Sequence, residues 1–213
     1  MPTPNRLRPL LAAVLWLGVA SARADDVAGA IADLQRRWAV ANYELHDGPR
    51  VAALELLTQD AQALTARYPA QVEPWVWSGI IRATLAGARG GLGALGIAKD
   101  ARRDLEHALA VDPHAPAACT TLGTLYHKVP GWPVGFGDDK HAEQLLRQAL
   151  ALDPNGIDAN YFYGEFEYDQ GHRAQAVQYL EHARAAPPRP GRELADRGRQ
   201  QEITALLAKA SAQ

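Results

Sequence analysis

The chain has little cysteine, no excess of charge of either sign and no long hydrophobic run, and each shortage excludes a class of protein. Cys119 is the single cysteine among 213 residues, so no disulfide can form within the chain and a disulfide-stapled fold is excluded. With 22 basic and 24 acidic residues the formal net charge is −2, which argues against a nucleic-acid-binding surface. The hydrophobic fraction of 47% indicates one medium-sized domain with a sizeable core.

The N-terminal segment has the pattern of a secretory signal peptide. Two arginines precede an apolar run from Leu10 to Ala20, and Ala22-Arg23-Ala24 offers small residues at the −3 and −1 positions of a cleavage site. The alternative, a transmembrane anchor, requires about 20 apolar residues, which this run does not supply. We therefore expect residues 1–24 to be a signal peptide that is cleaved before Asp25.

Cleavage at this site has consequences for charge and location. It removes three arginines, so the net charge of −2 becomes −5, and the acidic groups remain interspersed with basic ones. No cysteine lies at the predicted cleavage site, so we expect no lipid anchor at the new N-terminus. The sequence thus predicts a soluble exported protein, which in a bacterium is periplasmic.

Residues 157–188 have the pattern of one helical repeat. Gly164 is predicted to leave room where the second helix crosses the first, and Pro188 ends the hairpin because proline donates no backbone hydrogen bond. The second helix carries a small–large–small stripe at helical spacing, formed by Ala176, Leu180 and Ala183. Numbered from Ile157, these residues fall on the characteristic positions of the tetratricopeptide repeat, whose period is about 34 residues.

The same pattern recurs twice upstream. Gly79 and Gly123 are the equivalents of Gly164, and Pro113 and Pro154 close the two hairpins. The stripes of their second helices are Ala101–Leu105–Ala108 and Ala142–Leu146–Ala149. Matches at fixed offsets in three units predict an all-α solenoid of antiparallel helix pairs.

The solenoid is predicted to fill the mature chain. Residues 25–71 form a degenerate N-terminal helical hairpin, in which His46-Asp47-Gly48-Pro49 breaks the helical pattern. Residues 72–188 hold the three tetratricopeptide-like repeats, and residues 189–213 form a C-terminal capping helix over the last repeat. Residues 157–168 are rich in Tyr and Phe, which favour strands, but polar and apolar residues do not alternate there, so we predict a helix.

Two of the repeats contain insertions. Between the crossing glycine and the stripe of the second helix lie 10 extra residues in the first repeat and 7 in the second. Both insertions are predicted to lie in the turn between the two helices of their repeat. The first covers residues 87–96, which contain too many glycines for a regular helix throughout. The second covers residues 129–137. Equivalent loops emerge on the same edge of a solenoid, often the binding edge.

The concave face supplies the candidate binding residues. In a repeat hairpin one stripe of the first helix faces the groove; here that stripe is Tyr161, Glu165 and Tyr168 in the third repeat, Thr120, Thr124 and His127 in the second, and Val76 and Ile80 in the first. Tyrosine joins apolar area to a hydroxyl group and suits contact surfaces. For Val76 and Ile80 the alternative is packing against the N-terminal hairpin.

Two aromatic residues of the second insertion have alternative roles. Trp132 and Phe136 lie in a loop constrained by Pro130, Pro133 and three glycines. They either fill the gap that the insertion makes above the helix ends or stand exposed as anchors for a partner.

Metal-binding and catalytic patterns are weak. His127, Asp138, Asp139 and His141 are competent metal ligands, but Asp138 is better explained as the N-cap of the next helix and Asp139 as a favourable charge beside the helix N-terminus. No nucleophile elbow, phosphate loop or zinc-spacing motif occurs. We therefore expect no metal, no cofactor and no enzymatic activity.

Several segments resemble a known group of proteins. Val129-Pro130-Gly131-Trp132-Pro133, residues 156–164 with their Tyr-Phe-Tyr-Gly motif, and residues 187–192 are similar to segments of exported bacterial tetratricopeptide-repeat proteins. More narrowly, residues 115–207 resemble the T-component-like proteins associated with TRAP transporters, which handle organic acids and similar solutes. The resemblance implies an all-α, trimer-forming scaffold that pairs with a periplasmic solute-binding protein. Members are commonly lipoproteins, whereas the predicted signal peptide here has no cysteine at its cleavage site.

Two functional hypotheses follow. The first is a periplasmic scaffold that binds a protein partner through its concave groove and inserted loops, because repeat solenoids present extended concave surfaces. The second is an auxiliary component of a TRAP transporter that handles a small organic solute.

Overall fold

The computed structural model describes the backbone of residues 10–212 and the side chains of residues 26–91 and 93–212. Within this part of the chain every regular element is an α-helix: α1 Leu10–Tyr43, α2 Asp47–Arg67, α3 Val72–Arg89, α4 Gly91–Val111, α5 Pro116–Lys128, α6 Asp139–Leu152, α7 Ile157–Asp169, α8 Arg173–Arg184 and α9 Glu193–Ser211. The predicted all-α solenoid is confirmed. None of the described helices is long and apolar enough to cross a membrane.

The helix pairs α3–α4, α5–α6 and α7–α8 pack as the sequence pattern predicts. All nine residues of the three stripes are buried, with at most 1% of their surface exposed. At the third crossing, a Cβ atom on Gly164 would lie 3.0 Å from Cγ of Leu180 and 3.3 Å from the carbonyl oxygen of Ala176. Glycine therefore allows the two helices to approach each other closely.

The aromatic segment at the start of the third repeat is helical. α7 begins at Ile157, and Tyr163 and Phe166 are buried between neighbouring helices. Cys119 is also buried, as its repeat position predicts, and packs against Ala149 and Ala159.

The first insertion differs from the prediction. It is not a loop: α3 continues to Arg89, α4 begins at Gly91, and only Gly90 separates them, with φ +60°. A φ of this sign favours glycine. The other inserted residues stay helical because Ala94 and its neighbour Ile97 pack against the hydrophobic core, and tertiary packing outweighs the low helix propensity of glycine.

The turn of the N-terminal hairpin also lies at a different place from the predicted one. α1 ends at Tyr43 and α2 begins at Asp47, so Pro49 lies inside the first turn of α2, where a proline is tolerated. The backbone of α1 is helical from Leu10 through the predicted cleavage site before Asp25. The two arginines that precede the apolar run lie outside the described residues.

The last helix does more than cap the last repeat. α9 packs on α7 and α8 and also reaches α1, the first helix of the chain. Ala195 of α9 belongs to the same hydrophobic cluster as Leu34 and Trp38 of α1, and Gly198 lies against the ring of Tyr43. The solenoid therefore closes on itself, and its concave face becomes the wall of a cavity.

Candidate functional site

The concave side of the closed solenoid surrounds a cavity of about 1240 Å³. Helices α1, α3, α5 and α7 contribute to its wall, and residues 189–202 border it where the chain enters α9. Sites for small molecules generally have about 300–1,000 Å³, so this cavity can hold a small molecule or a short segment of chain.

Part of the predicted concave stripe lines this cavity. The lining includes Val76, Ile80, Thr120, Thr124, Tyr161 and Glu165. Tyr161 is nevertheless buried, with 7% of its surface exposed, so truncating this side chain also removes core contacts. Burial raises the pKa of its hydroxyl group above the ordinary value of tyrosine.

His127 and Tyr168 do not line the cavity, although the repeat pattern places them on the concave stripe. Nδ1 of His127 lies 2.7 Å from an oxygen of Asp139, and Nε2 lies 2.9 Å from an oxygen of Asp169. Tyr168 packs against the hydrophobic cluster between α7, α8 and α9. Both residues lie in the last turn of their helices, where these contacts replace exposure to the groove.

The candidate metal ligands have other contacts. Asp138 caps α6, because its carboxylate accepts a hydrogen bond of 3.0 Å from the backbone N–H of His141. The His141 ring packs edge-on against Tyr126, with centroids 4.4 Å apart. Among the described residues, no group of three or more His, Cys, Asp and Glu side chains is arranged to hold a metal ion.

The second insertion is a loop that is held in place from inside. Phe136 packs edge-on against Tyr126, with centroids 5.5 Å apart, and the guanidinium group of Arg102 lies 4.6 Å from the centre of the Phe136 ring. Backbone hydrogen bonds brace the loop, one of them from Gly137 N–H to the carbonyl oxygen of Pro130 at 3.0 Å. Phe136 therefore fills the gap above the helix ends.

Trp132, in contrast, stands out from the same loop. Its exposed fraction is 90%, and that of Val134 is 59%. The interpretation of Trp132 as a plug is therefore wrong. A Cβ atom on Gly135 would lie 3.3 Å from Leu95, so the second insertion touches the extended start of α4, and both insertions lie on one edge of the solenoid.

An ion-pair cluster joins α7 to the C-terminal segment at the cavity. Asp158 pairs with Arg199 at 2.9 Å and with Arg189 at 2.7 Å, and Arg199 also pairs with Glu202 at 2.6 Å. Burial disfavours the charged carboxylate of Asp158, but Arg199 and Arg189 outweigh it and lower its pKa from 3.8 to about 2. The Arg199 guanidinium also lies 4.4 Å from the centre of the Tyr161 ring. This cluster positions the closing segment beside α7.

Sequence reasoning missed several cavity residues, most of them outside the repeats. Trp38 and Trp77 meet edge-on with centroids 5.7 Å apart, and both line the cavity together with Arg50, Arg192 and Arg199. In the sequence, residues 187–192 were notable only as a proline-rich segment that ends the third repeat and as one of the segments similar to other exported repeat proteins. Its position at the cavity follows from the contact between α9 and α1, which no local pattern encodes.

Comparisons with known proteins bear on the fold. The family model described as "Tetratricopeptide repeat" matches residues 137–210. No curated protein sequence matches the chain. Among solved structures, a thermophilic TPR protein of Thermus thermophilus, TTC0263, superposes with a TM-score of 0.58 at 18% identity, over 76% of this chain and 74% of that one.

Two crystal structures of MamA are also similar. Both are 19% identical over 75% of this chain, and they cover 87% and 81% of MamA, with TM-scores of 0.45 and 0.44, too low to carry a statement about the fold. The family match in the C-terminal repeats and the likeness to TTC0263 agree with the crossing glycines and buried stripes. Together they support a tetratricopeptide-repeat fold, with the family match confined to residues 137–210.

Proposed function

We propose that this chain is an exported scaffold that binds a protein partner at the edge formed by residues 129–138. The tetratricopeptide-repeat fold is in general a scaffold for protein–protein interaction. The observation that carries the proposal is the 90% exposure of Trp132 on a loop whose other aromatic residue is packed inside.

An anchor is effective when it is held rigidly before binding. Hot spots of interfaces are enriched in tryptophan, and an anchor on a braced loop loses little conformational entropy when a partner covers it. Here Phe136 and the backbone hydrogen bonds hold the loop, and Val134 adds a second exposed apolar side chain two residues from Trp132. The loop edge thus offers a preformed apolar contact surface.

Export is part of this proposal and rests on the sequence alone. The basic start, the apolar run and Ala22-Arg23-Ala24 predict a mature N-terminus at Asp25 and release of the protein by osmotic shock. N-terminal sequencing of the native protein tests it, and a native protein that retains Met1 contradicts it.

A second candidate function rests on the cavity on the concave side. Its volume of about 1240 Å³ leaves room for a small solute. This candidate agrees with the resemblance to the T-component-like proteins of TRAP transporters. In that case the protein partner is a periplasmic solute-binding protein, and the scaffold assembles as a trimer.

The test places a photo-crosslinking amino acid at position 132 in the native host. We expect irradiation to produce a specific adduct with a protein, which mass spectrometry identifies. The matched control is position 56, because Leu56 on α2 is also an exposed apolar side chain, with an exposed fraction of 58%. Identical adducts from both positions, or none from position 132, would contradict the proposal. An adduct with a solute-binding protein would favour the second candidate.

A further inference from the structure

Three prolines lie close together where α8 is joined to α9. α8 ends at Arg184 and α9 begins at Glu193, and Pro187, Pro188 and Pro190 are exposed between them. The helix has therefore ended before the chain reaches the first proline. One proline is enough to stop a helix, so the end of the hairpin does not explain the other two.

The prolines restrict the backbone of the proline segment, residues 186–190, to an extended form. A proline fixes its own φ at about −65°, and the residue before a proline is kept out of the helical region. A polyproline II helix has three residues per turn, so Pro187 and Pro190 lie on one edge of it and Arg189 lies on another. The exposure fits this arrangement, because both prolines are exposed and Arg189 is partly buried.

Arg189 attaches the proline segment to the rest of the fold. Its backbone N–H donates to one carboxylate oxygen of Asp196 at 2.8 Å, and its Nε donates to the other oxygen at 2.8 Å. A terminal nitrogen of the same guanidinium group pairs with Asp158 of α7 at 2.7 Å. The segment is thus ordered before any partner binds, which lowers the entropic cost of binding.

The backbone of the proline segment offers hydrogen-bond acceptors and no free donor. Proline has no N–H, and the N–H groups of the other two residues of the segment donate within the fold. In the described part of the chain, no donor reaches the carbonyl oxygens of Pro187 and Pro188. A molecule that recognises this backbone must therefore supply the donors.

The closing prolines of the other two repeats differ in this respect. Pro113 and Pro154 have the same repeat position as Pro188, but their carbonyl oxygens are used inside the protein. The oxygen of Pro113 accepts from the side chain of Gln148 at 3.1 Å, and the oxygen of Pro154 accepts from the side chain of Asn160 at 2.9 Å. Of these three equivalent oxygens, all in described residues, that of Pro188 alone is left for an external donor.

A second cavity leaves space for a partner beside the prolines. Its volume is about 810 Å³, and its lining includes the three prolines together with Arg197, Gln200 and Gln201 of α9. A cavity of this size admits large side chains. Aromatic rings that enter it can pack flat on the proline rings.

We infer that the proline segment is a docking surface for a second protein partner, one whose groove is lined by tryptophan and tyrosine side chains. Such grooves bind polyproline II segments. The aromatic rings pack against the prolines, and the indole N–H and phenol O–H groups donate to the open carbonyl oxygens. This surface shares no residue with the edge at 129–138, so the inference goes beyond the proposed function and does not depend on it.

The test places a photo-crosslinking amino acid at position 185 in the native host. Ala185 is exposed and lies two residues before the first proline, so the probe leaves all three prolines in place. We expect irradiation to join this position to a protein, at a site beside tryptophan or tyrosine residues that mass spectrometry of the crosslinked peptide locates. The matched control is position 110, because Ala110 is also exposed and lies three residues before Pro113, as Ala185 lies before Pro188.

Substitutions then show whether the partner recognises the prolines. The double change Pro187→Ala and Pro190→Ala removes two rings from one edge and loosens the backbone, so it should reduce the crosslink yield at position 185 at least about tenfold. Pro113→Ala is the control and should leave that yield unchanged. Melting temperatures verify that the variants fold. If the double variant is unfolded, Pro188→Ala alone takes its place.

Several results would overturn the inference. They are the absence of an adduct at position 185, the same adduct at position 110, attachment to a surface without tryptophan or tyrosine, and a yield that the proline substitutions do not change. An adduct between two copies of this chain would make the proline segment a self-association surface, which also overturns the inference. The crosslink at position 132 is measured separately, so its failure and a failure at position 185 are distinguishable.

Discussion

Gly198 of α9 lies against the phenol ring of Tyr43 of α1, with no space for a Cβ atom between them. Two helices from opposite ends of the described chain meet at this contact, and the Tyr43 hydroxyl also reaches Glu202 at 3.5 Å. The contact converts an open solenoid into a closed one. It also brings Arg199 and Glu202 of α9 to the border of the cavity.

Gly198→Ala is therefore expected to separate α9 from α1. The added methyl group overlaps the Tyr43 ring, and we expect a loss of about 1–3 kcal/mol in the free energy of unfolding. Gly93→Ala is the control, because a Cβ atom there meets nothing within 4 Å and alanine favours the helix. Urea unfolding measures both variants, and equal stability would show that the closing contact contributes little.

The crossing glycines of the three repeats should differ in their sensitivity. A Cβ atom on Gly79 would overlap Cγ of Leu105, whereas on Gly123 it would lie 2.9 Å from Cγ of Leu146 and on Gly164 3.0 Å from Cγ of Leu180. Among the three glycine-to-alanine variants, we expect the change at Gly79 to cost the most stability, up to about 3 kcal/mol, and the other two to cost less.

The control for this series is His182→Leu, since His182 lies on the exposed face of α8. We expect it to be nearly neutral in thermal melting. Equal shifts for all four variants would mean that the repeats are misaligned.

Substitutions of Trp132 and Phe136 should have different effects: one on partner binding and the other on stability. Trp132→Ala is expected to leave the melting temperature unchanged and to weaken partner binding by about 2 kcal/mol or more, because an exposed anchor contributes only to the interface. Phe136→Ala should lower the melting temperature, because its ring packs on Tyr126 and Arg102. Calorimetry and a pull-down of the crosslinked partner measure both quantities; a destabilised Trp132→Ala protein would contradict the assignment.

Asp158 should make the closed form sensitive to acid. Its pKa in the fold is about 2, below its ordinary value of 3.8, so its ion pairs stabilise the folded state above about pH 4 and are lost as the pH falls towards 2. Asp158→Asn should lower the free energy of unfolding at pH 7. Between pH 4 and 2, the free energy of unfolding should fall less steeply in this variant than in the wild-type protein. Asp60→Asn is the control, because the pair of Asp60 with Arg37 is about half exposed. Parallel acid titrations of both variants would contradict the role of Asp158.

The sequence alone determined the class of fold and the packing of the repeats. Glycine at the crossing and alanine, leucine and alanine on the second helix are local requirements of a helix hairpin, so they recur at fixed offsets and identify the buried positions. The burial of Cys119 and the helical state of residues 157–168 follow from the same register. Thr124, Tyr161 and Glu165 could be placed at the cavity for this reason.

Tertiary structure alone decided how the repeats close and which side chains face the cavity. The extension of α4 through the first insertion depends on packing that outweighs glycine propensity, and the different exposure of Trp132 and Phe136 depends on which ring reaches Tyr126. Arg192 and Arg199 border the cavity because α9 contacts α1 and brings distant segments together. Local sequence periodicity shows which face of a helix is apolar. Which other helix packs on that face depends on how the successive helix pairs curve along the whole solenoid.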